Sequence, residues 1–137
     1  MGTRSLTIVH DEFNGEEYKV VNMYRQYDGY PTGHGAELAE FLTTIEKTGY
    51  NGINDLAALL VAKFKTGPFN IYLYPTEVTD CGQDYEYHIF KTEDILKIRV
   101  YNCGCNFFGQ TQSDTRDIEF EGNLKQFTEF CKEKEEV

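Results

Sequence analysis

Residues 27–35 read Y-D-G-Y-P-T-G-H-G, and the hydrophobic period changes across them. Before this stretch apolar residues recur at every second position. After it they recur at helical spacing. The glycines, proline and aspartate make a sharp corner, with Gly29 expected to supply an unusual φ and Pro31 to fix the exit. On the N-terminal side, residues 17–27 predict a strand with Val21, Met23, Arg25 and Tyr27 on one face and Tyr18, Val20 and Tyr24 on the other. Asn14-Gly15 is a hairpin signal. It folds this strand back on residues 3–10, where Leu6, Ile8 and His10 share a face opposite Thr7 and Val9. On the C-terminal side, Leu38, Phe41, Leu42 and Ile45 form the stripe of an amphipathic helix over 35–47, stopped by Gly49. A second helix fits 53–65, with Ile53, Leu56, Leu60 and Phe64 on one face and Gly67-Pro68 as its stop.

The period returns to two at F-N-I-Y-L-Y (69–74). Residues 84–90 and 95–101 alternate around a polar link and predict a second hairpin. Residues 117–121 read as a short last strand. Residues 123–135 read as a helix with Leu124, Phe127 and Cys131 inward. The order is ββααβββ(β)α. Hairpins on both sides of a helix pair predict one α+β domain over 1–137, a mainly antiparallel sheet with two or three helices on one face.

The chain has 137 residues, 13 basic against 23 acidic, for a net charge of -10. That balance argues against binding a phosphate backbone, which needs clustered Lys and Arg. It argues equally against docking on an anionic membrane; it permits a basic protein partner or mimicry of a nucleic acid, and its plainest reading is solubility. No run of apolar residues reaches transmembrane length, and the N-terminus lacks a signal-peptide centre. The expectation is a cytoplasmic protein with reduced cysteines.

Motifs for chemistry are sparse. The corner carries Arg25, Tyr27, Asp28, Tyr30 and His34. Glycines before a helix start can bring backbone N–H groups to an anion, and a histidine adds a group that titrates near neutral pH. The same residues also read as plain turn chemistry, and no phosphate-loop pattern is present. Cys81, Cys103, Cys105 and Cys131 do not form zinc knuckles. Cys131 falls on a core stripe, whereas Cys103 and Cys105, with Cys81 near them, leave a redox or soft-metal role open. His10, His34 and His88 are far apart in sequence; His10 reads as a strand-end residue and His88 as half exposed. No cofactor motif is found.

The stretch G-T-R-S-L (2–6), followed by a hairpin and Y-D-G-Y-P-T-G-H-G-A-E-L (27–38), resembles a group of small uncharacterised proteins of bacteriophages and prophage-bearing bacteria. The resemblance covers about residues 2–45 and carries no established activity. It adds Arg4 to the candidates, because pairing of the first two strands would bring Arg4 toward Arg25 and Asp28, where an Arg4–Asp28 ion pair would be the structural reading. Two functional expectations follow. One is a non-catalytic phage-type accessory protein acting on a protein partner. The other is a small-molecule or nucleotide-binding domain, with enzymatic activity left open, gripping a small anionic ligand at residues 25–35. The hairpins leave sheet edges on which a second copy could pair.

Overall fold

The computed structural model describes residues 2–103 and 117–135. Strands β1 (Ser5–Phe13) and β2 (Glu16–Arg25) form the first hairpin. Asn14 and Gly15 take positive φ at its tip, as the turn chemistry requires. A π-helical turn, Pro31–Gly35, leads into α1 (Ala36–Thr48), and α2 (Gly52–Phe64) follows. Then come β3 (Ile71–Leu73), β4 (Tyr85–Thr92), β5 (Ile95–Asn102), β6 (Asp117–Asn123) and α3 (Leu124–Glu135). The fold is α+β, in the element order read from the sequence. No helix among the described residues is long and apolar enough to cross a membrane.

The sheet runs β3-β2-β1-β4-β5-β6. Its pairs are antiparallel except at the centre, where β1 and β4 run parallel. The sheet is therefore mixed, with two antiparallel halves joined along a parallel seam. A parallel pair needs a crossover. Here β3 lies outside β2 and β4 lies beyond β1, so residues 74–84 must cross both strands. Asn22 anchors that crossing by donating from Nδ2 to the carbonyls of Pro75 (3.1 Å) and Val78 (2.9 Å).

One sheet face carries the main core. Val9, Met23, Tyr87, Ile89, Ile98 and Val100 pack with all three helices in a single apolar cluster. The helical stripes are those that the spacing predicts, with Phe127 and Cys131 buried on α3. The opposite face holds a smaller cluster of Leu6, Ile8 and Tyr24.

The register of β1 and β2 shifts between Val9 and His10: Val9 pairs with Val21, but His10 pairs with Lys19. Val20 is the extra residue of a β-bulge. Val20 and Val21 both pack toward the helices, and parity reverses beyond them. Strict alternation therefore fails here, and Tyr24 lies on the face opposite Val20 rather than sharing it.

Candidate functional site

The glycine-rich corner is held from within. Burial removes His34 from solvent completely, at 0% exposure. Its Nδ1 lies 3.0 Å from Arg25 Nη1, which can only donate. Nδ1 must therefore accept, so Nε2 carries the proton and donates to Thr7 Oγ1 at 2.6 Å. Both ring nitrogens are engaged, and the ring packs edge-on against Phe64 and Tyr87. Burial, and then the Arg25 charge, lowers the His34 pKa to about 3. At neutral pH the imidazole is thus an uncharged structural group.

Arg25 is committed as well. It donates from Nε to the Tyr27 carbonyl (2.7 Å), pairs through Nη1 with Glu37 (2.8 Å), and has Asp28 3.9 Å from Nη2. The adjacent groove, bounded by Arg25, Glu37, Lys63 and Asn70, encloses ≈ 250 Å³, below the usual range of about 300–1,000 Å³ for ligand pockets. Tyr27, Asp28 and Tyr30 stay at the surface, with the Tyr30 hydroxyl donating to Asp28 (3.2 Å).

The backbone explains the composition. Asp28, not Gly29, takes the left-handed conformation, at φ 61°; aspartate is among the residues that tolerate it. Gly29 serves close approach instead. Its N–H donates to Thr3 O (2.9 Å), and its carbonyl accepts from the Tyr87 hydroxyl (2.7 Å). A Cβ there would stand 2.9 Å from the Arg4 carbonyl carbon, and one at Gly33 would stand 2.5 Å from the Asp28 oxygen. We expect Gly33→Ala to cost about 1–3 kcal/mol, as overpacking against backbone does. A chemical denaturation curve checks this.

Arg4 does not join the corner. Successive strand residues face opposite ways, so Arg4 shares the face of Leu6 and Ile8. Its guanidinium lies against Gly82 and Tyr24, across the sheet from Arg25. Its backbone N–H donates to Asp84 Oδ2 (3.0 Å). An Arg4–Asp28 pair does not form, and Arg25 takes the place beside Asp28.

The open sheet face brings together residues that the sequence keeps apart. Parallel pairing of β1 with β4 sets Ile8 opposite His88 and His10 opposite Phe90. His10 and His88 thus become neighbours, with His10 Nε2 and His88 Nδ1 3.4 Å apart. His10 is not at an exposed strand end, and His88 is not half exposed; both are buried. Behind them Glu86, also buried, accepts from His88 Nε2 (3.0 Å), Gln83 Nε2 (2.8 Å) and Cys103 Sγ (3.7 Å). Acceptance at both oxygens fits an ionised carboxylate. The rings are fixed, His10 by stacking on Phe90 and His88 by an edge contact with Tyr101. Among the described residues, His10, Glu17 and His88 form one group whose ligand atoms all lie within 4.8 Å of one another.

Burial pushes the Cys81 thiol up, with Asp80 and Glu86 adding to the effect, and pushes Cys131 up to about 12. Neither is an activated thiolate. Cys105 lies outside the described residues. No family model, curated protein or solved structure matches the chain.

Proposed function

We propose that the chain is a non-catalytic interaction protein, of the phage accessory kind its N-terminal third resembles. In this reading it takes an extended segment of a protein partner along the outer edge of β3. The observation that carries this is an apolar surface around a sheet edge on which no described strand pairs. Phe69 is 77% exposed, Leu73 57%, Tyr72 43% and Tyr74 39%. Aromatic side chains, tyrosine above all, supply contact area at low entropic cost and are enriched where proteins meet.

The ladder supports the same edge. Tyr74 N–H donates to Asn22 O, so Tyr72 and Tyr74 point their backbone groups inward at β2, and Ile71 and Leu73 point theirs outward. Lys65 Nζ covers the Ile71 carbonyl at 2.9 Å; the Leu73 groups lie at the open edge. An added strand would pair there, while the tyrosines grip its side chains. The net charge of -10 favours a basic segment and makes association fall with salt. The alternative, an anionic ligand in the corner, loses support because Arg25 and His34 already satisfy each other.

Selection of a random peptide library on the immobilised chain tests the reading. Recovered peptides should alternate apolar residues, carry basic flanks and bind at least about tenfold more weakly to Leu73→Asp, a difference of about 1.4 kcal/mol. Recovery of no peptide, or of peptides indifferent to Leu73→Asp, would overturn it.

A further inference from the structure

The histidine pair poses a protonation problem. Gln83 Nε2 donates to Glu86, and His88 Nε2 stands 3.0 Å from the same carboxylate; with the His88 proton on Nε2, its Nδ1 lone pair faces His10. His10 Nδ1 is buried without a hydrogen-bond partner. The groups by the ring on this side are electron-rich: the Glu12 carboxylate lies 3.9 Å from Nδ1, and an Asp11 backbone acceptor lies beside the imidazole. If His10 carries its proton on Nε2, Nδ1 is left as a bare lone pair facing acceptors. If it carries the proton on Nδ1, the lone pairs of His10 Nε2 and His88 Nδ1 face each other across 3.4 Å. The second arrangement needs a cation between the rings.

We propose that His10 Nε2, His88 Nδ1 and Glu17 Oε1 bind a divalent first-row transition-metal ion of the zinc class. Ligand bonds of about 2.0–2.1 Å in tetrahedral geometry put neighbouring donors about 3.3–3.4 Å apart, and the two ring nitrogens are already at that spacing. Glu17 Oε1 lies 4.0 Å from His10 Nε2 on a half-exposed side chain that can close the remaining gap. The β-bulge after Val9 makes this possible, since it turns Glu17 to the face of His10 and Glu12. Glu86 on the far nitrogen of His88 is the outer carboxylate that orients a metal-binding imidazole. Two imidazoles select against magnesium and calcium, which take all-oxygen sets. Arg99, whose Nη1 is 3.9 Å from Glu12, is a positive charge that opposes the ion, as are Lys19 and Lys97 in register with His10 and Phe90; the carboxylates of Glu12, Glu17 and Glu86 offset them.

Calorimetric titration of the whole chain, without a histidine tag, with zinc chloride tests the proposal. Magnesium chloride is the control, and cobalt absorption is a second readout. One equivalent of zinc should bind, with tetrahedral cobalt bands and no thiolate charge-transfer band. Glu17→Gln, a half-exposed change that leaves the fold intact, should weaken binding by about tenfold or more, the loss expected even of an outer partner. His88→Asn, its fold checked by circular dichroism, should abolish it. No zinc binding by the native chain would overturn the proposal. So would binding that Glu17→Gln leaves unchanged, or binding that reports a thiolate ligand.

Discussion

His34→Ala is expected to destabilise the chain by about 3–5 kcal/mol, the range for deleting a fully buried aromatic side chain. The ring fills space between Phe64 and Tyr87. Its loss also leaves the Thr7 hydroxyl without its donor, and it removes the ring acceptor of Arg25 Nη1. Each unmet buried polar group adds about 1–3 kcal/mol if nothing relaxes to meet it. Tyr27→Ala and Asp28→Asn, at exposed positions of the same corner, should stay within about 0.5 kcal/mol apiece. Urea denaturation of the three variants separates a structural corner from a ligand cradle. A cost below about 1 kcal/mol for His34→Ala would contradict the arrangement, because surface groups at binding sites are replaced at about that level.

Acid should unfold the chain unusually early. In the unfolded chain a histidine takes a proton near pH 6.5; in the fold His34 resists until about 3 and His10 until about 4. Across that window the unfolded state binds more protons. Stability is therefore fully present above pH 6.5 and is lost as pH falls toward the folded values. Each group contributes a slope of about 1.4 kcal/mol per pH unit. Two groups acting from pH 6.5 to 4.5 remove about 5 kcal/mol, comparable with the whole stability of many domains. Urea midpoints measured from pH 7.5 to 4.5, with a chelator present, should fall steeply below 6.5. His10→Gln should roughly halve the slope. A flat profile down to pH 5 would mean that one or both rings titrate freely in the fold.

The architecture was largely legible in the sequence because its signals are local. The change of period at residues 27–35, the Asn14-Gly15 turn and the stripe through Phe127 and Cys131 each involve residues within a few positions of one another. The direction of Arg4 was not, because strict pairing through the Asn14-Gly15 turn sets Arg4 opposite Arg25 on one face, and only the bulge at Val20 moves Arg25 to the other. Nor was the histidine pair. His10 and His88 meet only because residues 74–84 carry the chain over β2 and β1, making β4 a parallel neighbour of β1. Hairpin signals cannot announce a seam between hairpins. The bulge was equally hidden, and its one trace is the adjacent pair Val20-Val21, both packed on the core. At the corner, turn chemistry was read correctly as a class but assigned to the wrong residue, because Asp28 tolerates the positive φ that Gly29 was expected to take.

These observations divide the histidines by role. His34 belongs to the fold, whereas His10 and His88 present lone pairs to a cation. A long-range proton–nitrogen spectrum of the three imidazoles, recorded with and without zinc chloride, tests that division most directly. His34 should appear as the Nε2–H tautomer, unchanged by zinc and by acidification to pH 5.5, while the nitrogens of His10 and His88 shift together on adding the metal. A His34 ring that titrates near pH 6.5, or that moves with zinc while His10 and His88 stay fixed, would contradict the account.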